Sequence, residues 1–382
     1  MAPTGTEDIF RLVETIRQSG PVDATAPYEA DGVAGKTIVI TGGASGFGAA
    51  FARHWAKHGA YLILGDINDK GGEELVAELR SSTGSENHHY HHCDVTDWKS
   101  QVAFFQAAVR LSGTGGIDAV VANAGIREVQ NAASGMGFEN PTEDLATDAS
   151  PPPPNLKVMD VNLTGVLYTV HLALFWLQKN GAGKQHGGLA TEPPTRAERP
   201  RDRHLLLISS VAGIAALPGQ PLYAATKHAL VGLFRSLRGT VWRQGVRINM
   251  VCPFYVGTDF IPNRGLMMLA GGGSTKVEDV VDASTRLMAD EGIVGRSLVV
   301  GPKLDLVDGE DGQPEVVPSG AEKRQQAVWE AYAHDYDSVD IFVYRYTKLV
   351  NAVHRIRGWV GLVKDVLNIY LYRKDPTPQA AS

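Results

Sequence analysis

The sequence predicts a doubly wound α/β protein built on a parallel sheet of about seven strands. Three observations lead to this fold class. Short apolar runs alternate with helical patterns, the first run leads into a glycine-rich turn, and a carboxylate ends the second run. The runs are Thr37–Ile40, Tyr61–Leu64, Tyr90–Cys93, Ala119–Ala122, Leu205–Ser209, Arg247–Val251 and Ser297–Val300. Because such strands are apolar on both sides, helices are expected to cover both faces of the sheet.

Composition and charge are those of an ordinary globular protein. The chain has 382 residues, of which 43% are hydrophobic and 20% charged, and its formal net charge is −6. A mildly acidic chain has no field for holding a polyanion, so nucleic acid is not expected as a partner. Cys93 and Cys252, the two cysteines, lack metal-ligand spacing and favour a reducing compartment, the cytosol. No signal peptide or membrane anchor is predicted, since the most apolar stretch, Val166–Leu177, is too short to span a bilayer.

The segment Lys36–Gly48, KTIVITGGASGFG, combines a buried strand, a glycine turn and the start of a helical pattern. Glycines at 42, 46 and 48 allow the backbone to turn tightly and to approach a pyrophosphate. The free N–H groups and the dipole of the following helix stabilise its negative charge. The pattern therefore predicts a Rossmann-type dinucleotide site.

Asp66 ends the second strand, eighteen positions after Gly48. A carboxylate at this place can accept hydrogen bonds from both ribose hydroxyls of an adenosine, and it repels a 2′-phosphate. Positions 43–47 and 67–69 contain no Lys or Arg, so nearby Lys70 is the one cation that could offset this repulsion. The sequence thus predicts NAD rather than NADP, with capping of the next helix as the alternative role of Asp66.

Tyr223 and Lys227 lie four residues apart in the helical pattern YAATKHALVGLF, so their side chains share one face. A phenol with a pKa of about 10 is a poor base, but an ammonium roughly 4 Å away contributes about 4 kcal/mol of attraction to phenolate. We therefore expect a lowered pKa for Tyr223, which can then accept an alcohol proton as hydride leaves the carbon. Ser210 ends the fifth strand, with Ser209 as its competitor, where a hydroxyl could hold the substrate oxygen.

These motifs, in this order, resemble the short-chain dehydrogenase/reductase family over about residues 34–302, roughly seventy per cent of the chain. The matching residues are Thr41-Gly42-xxx-Gly46-x-Gly48, Cys93-Asp94-Val95, Asn123-Ala124-Gly125, Asn162, Ser210 and Tyr223-xxx-Lys227. Within the family, the chain is most similar to NAD-dependent hydroxyprostaglandin dehydrogenase-like members and to fungal secondary-metabolite alcohol dehydrogenases. The resemblance implies an NAD-dependent oxidoreductase that interconverts a secondary alcohol and a ketone.

The resemblance also assigns roles to individual residues. It implies a catalytic set of Asn162, Ser210, Tyr223 and Lys227, in which Asn162 relays protons to the lysine and the second serine of the pair is catalytic. NAD contacts are assigned to Gly42, Ser45, Gly46, Phe47, Gly48, Asp66, Asp94, Val95, Asn123, Tyr223, Lys227, Val256 and Thr258. Substrate contacts are assigned to Ser210, Tyr223, Phe254, Tyr255 and Phe260.

The segment Phe254–Gly272 is expected to close over the substrate, because the resemblance places the closing segment after the sixth strand. Phe254 stands where the family has glycine, and the apolar residues that follow suit a bulky hydrophobic alcohol; an ordinary packed helix is the alternative. Homodimers or homotetramers are expected from the resemblance. No metal is predicted, because the histidines of HHYHH at 88–92 point to opposite faces of a strand.

Three parts are predicted along the chain: a leader at 1–33, the NAD-binding catalytic domain at 34–302, and a linker with an amphipathic helical tail at 303–382. Surface loops are expected as insertions at about 127–154 and 180–203. The helical tail covers about 321–374, and its apolar stripe from Leu349 to Tyr370 has basic edges. The stripe could pack within the protein, pair with a second subunit, or make peripheral contact with a membrane.

Alternative functions remain open from the sequence. An NADPH-dependent ketone reductase is disfavoured by Asp66. A catalytically silent nucleotide-binding scaffold would be marked by loss of a catalytic residue, and none of the four is missing. Epimerases and dehydratases share the wider fold.

Overall fold

Seven parallel strands form the predicted sheet, in the order β3-β2-β1-β4-β5-β6-β7. This computed structural model describes residues 11–113, 115–128, 138–139, 141, 144–179, 201–215, 217–257, 275–309, 314–317 and 324–353. The strands are β1 Thr37–Thr41, β2 Tyr61–Asp66, β3 His88–His92, β4 Ala119–Ala122, β5 His204–Ile208, β6 Arg247–Pro253 and β7 Ser297–Asp308. The strand order reverses between β1 and β4, and open α/β sheets bind ligands beyond the carboxyl ends of the strands at such a point.

Helices cover both faces of the sheet, as predicted. They are α1 Gly46–Lys57, α2 Asp69–Thr83, α3 Trp98–Leu111, α4 Asp144–Thr147, α5 Lys157–Met159, α6 Val166–Gln178, α7 Pro221–Leu237 and α8 Val277–Ala289. One apolar core joins the sheet to α1, α2 and α8, and a second core joins it to α3, α6 and α7. Strands β1, β2, β4, β5 and β6 therefore have buried side chains on both faces, and this arrangement explains their continuous apolar runs, whereas β3 at the sheet edge is only partly buried.

A π turn, Asp160–Gly165, joins α5 to α6 into one helical stretch. By length and composition this stretch, Lys157–Gln178, could cross a membrane, although the apolar part seen in the sequence alone is shorter. Half of its most apolar window is buried inside the protein, and α6 packs against β4 and β5. Its apolar character is accounted for by a place in the core.

Two further strands extend the sheet beyond Val300. β8, Pro314–Val316, and β9, Arg324–Glu330, both pair antiparallel with β7. The predicted start of a helix near residue 321 is therefore wrong for residues 324–330. An unpaired edge leaves a row of backbone donors and acceptors without partners, so pairing with β7 outweighs a local helical pattern. Helix is present at residues 341–353, where the Asp340 side chain accepts hydrogen bonds from Phe342 N and Val343 N.

Packing divides the chain into two units. The larger unit, Gln18–Ala333, contains the whole sheet. The smaller consists of Met1–Arg17 and His334–Ser382, and within it Leu12 N donates a hydrogen bond to Tyr336 O at 3.0 Å. The predicted three-part division, with boundaries near residues 33 and 302, stays a prediction.

The described ends of the two predicted insertions differ from surface loops. Residues 144–150 are exposed, as expected, but Glu128 and Asp202 are only 4% and 7% exposed. Asp202 accepts hydrogen bonds from Lys36 Nζ at 2.7 Å and from two nitrogens of Arg247 at 2.7 and 2.8 Å. The prediction of surface loops is therefore wrong at these two ends, because Asp202 has buried donors as partners and Glu128 accepts hydrogen bonds from the half-buried residues Leu222 and Tyr223.

Candidate active site

The glycine turn follows β1 directly and leads into α1. Gly42 has φ +65°, which favours glycine, and Gly46 has φ +52°. A Cβ added to Gly48 would lie 2.2 Å from Gly42 O, so only hydrogen fits at that position. Ser45 precedes α1 in an extended conformation, and its side chain does not cap the helix. The first-turn amides of α1 are thus available for an anion at the carboxyl edge of the sheet, and a dinucleotide pyrophosphate fits this cradle.

Asp66 lies beside the glycine turn at the end of β2. Its carboxylate accepts hydrogen bonds from Ala44 N and Asn68 N, both at 3.0 Å. Asn68, not Asp66, caps α2, because the Asn68 side chain accepts a hydrogen bond from Gly71 N. Lys70 is highly exposed and 3.8 Å from Glu74, its ion-pair partner. The alternative role of Asp66 as a helix cap is therefore not what the structure shows.

Asn123 follows β4 and fixes the shape of the glycine turn. Its Nδ2 donates to Thr41 O at 3.0 Å and to Gly42 O at 2.9 Å. Asp94, after β3, accepts hydrogen bonds from the backbone and hydroxyl of Thr96 at 2.9 and 2.8 Å. The glycine turn, Asp94 and Asn123 follow β1, β3 and β4, so all three lie at the carboxyl ends of the strands. The predicted cofactor contacts of Asp94, Val95 and Asn123 stay predictions.

Asn162 lies in the π turn and is fully buried. Its Oδ1 accepts a hydrogen bond from Ile126 N and its Nδ2 donates one to Ile126 O, both at 2.7 Å. A side-chain amide that binds both polar groups of one peptide residue holds that residue as a strand neighbour would. Asn162 therefore attaches the segment after β4 to the helix, and its predicted role in proton relay stays a prediction.

The structure brings Ser210, Tyr223 and Lys227 together beyond the ends of β5 and β6. The Ser210 hydroxyl accepts a hydrogen bond from Ala212 N at 3.1 Å and donates one to Pro253 O at 3.4 Å, and it lies close enough to the Tyr223 side chain to lower the pKa of Tyr223. Ser209, its competitor in the sequence, is buried and donates to Lys227 O at 3.1 Å. The two adjacent serines point to different partners, because successive side chains of extended backbone alternate in direction.

The pKa of Tyr223 beside Lys227 differs from the lowered value expected from the sequence. Lys227 Nζ donates to Ile208 O at 3.1 Å and lies 5.6 Å from the centre of the Tyr223 ring. Burial lowers the pKa of Lys227 to about 8. Burial also raises the pKa of Tyr223, against the opposing effect of the nearby Ser210 hydroxyl. The predicted lowering of the Tyr223 pKa is thus wrong for the protein alone, because low-dielectric surroundings disfavour both charged forms.

Two aromatic side chains stand at the predicted substrate side. Phe254 and Tyr255 follow β6, are half-buried, and pack edge to face with ring centres 4.8 Å apart. Tyr255 also raises the pKa of Tyr223 by its charge when ionised. Val256 is buried and pairs with Thr275. Thr258 and Phe260 lie outside the described residues.

Glu128 is a buried residue near the catalytic helix that the sequence analysis missed. Its Oε2 accepts hydrogen bonds from Leu222 N at 2.9 Å and Tyr223 N at 3.3 Å. Glu128 lies three positions after Asn123-Ala124-Gly125, and nothing in the local sequence there predicts its contact with α7.

The histidines of β3 have separate partners. His92 Nδ1 lies 2.8 Å from Asp69 Oδ1, while His88 Nε2 lies 3.1 Å from the Thr83 hydroxyl. Across the described part of the chain, no three His, Cys, Asp or Glu side chains are grouped closely enough to hold a metal ion.

Comparisons with known proteins identify the family of this chain. The sequence model of the short chain dehydrogenase family matches residues 36–185 and 201–267. The chain is 35% identical over 293 residues, 74% of this chain and 90% of the relative, to 5'-hydroxyaverantin dehydrogenase of Dothistroma septosporum. It is 29% identical over 297 residues, 74% of this chain and 77% of the relative, to NADP-dependent dehydrogenase M3 of Phoma sp..

A solved structure, that of levodione reductase, superimposes with a TM-score of 0.55 over 70% of this chain and 96% of its own, at 23% identity. This likeness supports the fold alone. The family match covers more than half of the chain and includes the glycine turn and the Tyr223–Lys227 helix. The protein is therefore a member of the short-chain dehydrogenase/reductase family, as the motifs predicted.

Proposed function

We propose that the protein is an NAD-dependent dehydrogenase that interconverts a secondary alcohol and a ketone on a hydrophobic small molecule. The observation that carries this proposal is the grouping of Ser210, Tyr223 and Lys227 at the sheet edge that also holds the glycine turn. The family supports a nicotinamide cofactor, which supplies or accepts the hydride when bound.

The residues of this chain would divide the remaining work. The Ser210 hydroxyl holds the substrate oxygen beside the Tyr223 phenol, which takes the alcohol proton or returns it to the ketone. Lys227 carries a positive charge below its pKa of about 8 and favours the phenolate form of Tyr223. Because Tyr223 has a raised pKa in the protein alone, where Lys227 is already present, the added positive charge of an oxidised nicotinamide is needed to make it a base.

The preference for NAD rests on Asp66, whose carboxylate lies at the glycine turn. None of the ion pairs formed by the described residues includes Asp66, and Lys70 is engaged with Glu74. A 2′-phosphate placed near this carboxylate would meet like charge with no paired cation. The Phoma relative, named as NADP-dependent, shows that family membership does not decide the question.

Calorimetric titration of NAD and NADP into wild type and Asp66→Ala tests this preference. We expect wild type to bind NAD at least tenfold more tightly than NADP, equivalent to about 1.4 kcal/mol. Asp66→Ala should erase most of that difference. Asp69→Ala is the matched control, since Asp69 is a neighbouring exposed carboxylate bonded to Tyr90 and His92. Equal binding of both nucleotides by wild type would contradict the role of Asp66.

The substrate is proposed to be a bulky, hydrophobic secondary metabolite. The half-buried Phe254 and Tyr255 rings offer apolar surface next to Tyr223, and aromatic walls suit flat or polycyclic ligands. The name of the Dothistroma relative, 5'-hydroxyaverantin dehydrogenase, supports an alcohol as the reduced substrate. A panel of aromatic and aliphatic secondary alcohols, followed by absorbance of reduced cofactor, tests this class.

Two outcomes would favour the alternatives. Turnover of ketones with NADPH but not of alcohols with NAD would indicate a reductase. Binding of nucleotide without turnover of any panel member, in wild type as in Tyr223→Phe, would indicate a silent nucleotide-binding scaffold.

Self-association is proposed through α6 together with the start of α3. Trp98, Leu167 and Phe175 are 40%, 41% and 51% exposed there, and the Trp98 ring packs edge to face with Tyr168 at 5.3 Å. Exposed apolar side chains of this size commonly mark subunit interfaces. Sedimentation of wild type and Phe175→Ser should show a dimer or tetramer that the substitution weakens.

We also propose that the protein is cytosolic and that its helical residues 341–353 make peripheral contact with a membrane. Phe342, Tyr346 and Leu349 recur at steps of four and three and are 70%, 57% and 61% exposed. Flotation with anionic vesicles, compared between wild type and Phe342→Ser, tests the contact; no flotation of wild type would exclude it.

A further inference from the structure

The first turn of α7 lacks an ordinary cap. Gln220 precedes the helix, and its side chain makes no capping hydrogen bond. Pro221 occupies the first helical position and has no N–H, and Ala224 N already donates to Gln220 O at 2.9 Å. The N–H groups of Leu222 and Tyr223 are therefore the two that need an acceptor from outside the helix.

Glu128 supplies that acceptor from a distant part of the chain. Its Oε2 binds both N–H groups, at 2.9 Å to Leu222 and 3.3 Å to Tyr223, although Glu128 precedes Leu222 by 94 residues. The residue is 4% exposed. Its carboxylate also lies at the positive end of the helix dipole, where a negative charge is stabilised. A carboxylate buried in this way is expected to hold the first turn in one position.

The segment that carries Glu128 is itself fixed at two other points of the site. Asn123, at its start, binds Gly42 O in the glycine turn, and Ile126, at its middle, is bound by Asn162. The six residues 123–128 thus contact the glycine turn, the π turn and the catalytic helix in succession. A displacement of this segment would move Tyr223 relative to the place where the cofactor is expected.

We propose that Glu128 is a positioning residue, which sets the place of Tyr223 by capping α7 from the segment that also fixes the glycine turn. This inference rests on the proposed role of Tyr223, but the capping contact can be measured without any turnover. The second carboxylate oxygen, Oε1, is buried and has no hydrogen-bond partner among the described residues. Replacing the carboxylate by an amide therefore changes few contacts.

The test compares Glu128→Ala and Glu128→Gln with a matched control. Asp97→Ala is that control, because the Asp97 side chain likewise accepts from two first-turn amides, Lys99 N at 3.0 Å and Ser100 N at 3.3 Å. Asp97 caps α3, which carries none of the predicted catalytic residues. Each alanine substitution removes a two-amide cap from the start of a helix, so a shared loss of activity would expose a merely structural effect.

We expect Glu128→Ala to lower kcat by about 10- to 100-fold on the best secondary alcohol of the panel, since misplacement of a reacting group by about 1 Å has effects of this size. The Kd of NAD should stay within twofold of wild type. Glu128→Gln, which keeps an acceptor oxygen, should recover most of the loss, and Asp97→Ala should leave kcat unchanged. A kcat within twofold of wild type for Glu128→Ala, or an equal loss in Asp97→Ala, would overturn the inference.

Amide hydrogen exchange gives the second measurement, which does not require turnover. In Glu128→Ala, exchange of the peptide that contains Leu222 and Tyr223 should accelerate at least tenfold, while that of the α3 peptide stays unchanged. Unchanged exchange at both amides would refute the capping role. If exchange accelerates but wild type turns over no alcohol, the cap stands and the proposed dehydrogenase function fails.

Discussion

The buried carboxylate of Asp202 offers a direct test of what stabilises the amino ends of β1, β5 and β6. Asp202 precedes β5 and is almost completely buried with Lys36 and Arg247. It accepts bonds from Lys36 Nζ, from Arg247 Nε and Nη2, and from Arg203 N, all between 2.7 and 2.8 Å. We predict that Asp202→Asn, which keeps the shape and removes the charge, destabilises the protein strongly.

The magnitude follows from the two cations that remain. Lys36 and Arg247 are 0% and 6% exposed, so neither charge can turn to water when its carboxylate is lost. Removing one partner of a buried ion pair costs about 3–5 kcal/mol. With an entropy of unfolding of about 2.1 cal/mol/K per residue, that loss corresponds to a fall in Tm of roughly 4–6 °C for this chain of 382 residues. The Lys36 contact to the half-exposed Glu291 at 3.1 Å offsets part of the loss.

Urea unfolding followed by tryptophan fluorescence measures the change, at one protein concentration and without nucleotide. Glu78→Gln is the control, because Glu78 forms a bidentate pair with Arg53 at 2.7 and 2.8 Å in which both side chains are 48% exposed. An exposed pair contributes about 0–1 kcal/mol. The reasoning fails if Asp202→Asn lowers the free energy of unfolding no more than Glu78→Gln does.

The pH dependence supplies a further check on Asp202. Burial alone would raise its pKa, but Arg247 and Lys36 outweigh burial and hold the pKa well below its usual range. A depressed folded-state pKa means that the stabilisation is fully present above the unfolded pKa of about 3.9 and is lost as the pH falls below it. The difference between wild type and Asp202→Asn should therefore be constant from pH 6 to 8 and shrink below about pH 4.

Two other substitutions have outcomes set by the site. Gly48→Ala should abolish measurable NAD binding in calorimetry, because the new Cβ meets Gly42 O at 2.2 Å; Gly84→Ala, strained at φ +68° but with open space, should lose about 1 kcal/mol of stability and no affinity. Lys227→Met should abolish turnover yet stabilise the protein at pH 7 by up to about 3 kcal/mol, since the folded-state pKa of about 8 lies below the ordinary lysine value of 10.5. The buried charge destabilises wild type fully below pH 8, and this destabilisation disappears as the pH rises to 10.5. The free energies of unfolding of the two proteins should therefore converge there. Equal free energies of unfolding for Lys227→Met and wild type at pH 7 would contradict the conclusion that the buried Lys227 ammonium destabilises the folded protein.

Local patterns in the sequence were sufficient for the sheet and for most of the candidate site. Six of the seven parallel strands were predicted within two residues at each end, because strands covered on both faces leave continuous apolar runs, while β7 continues eight residues beyond its predicted end. The glycine turn follows from steric limits at Gly42 and Gly48. The helical spacing of Tyr223 and Lys227 places both on one face of α7.

The tertiary structure decided the features that depend on residues far apart in the chain. β9 pairs with β7 where the sequence predicted helix, because the open edge of β7 offers hydrogen bonds that a local pattern does not reveal. Glu128 and Asp202 were assigned to surface loops, since a carboxylate is buried only when distant donors meet it. The pKa values of Tyr223 and Lys227 likewise depend on burial among distant elements. The sequence alone determined the fold and the identities of the candidate reacting groups, and folding decided their partners, burial and charge.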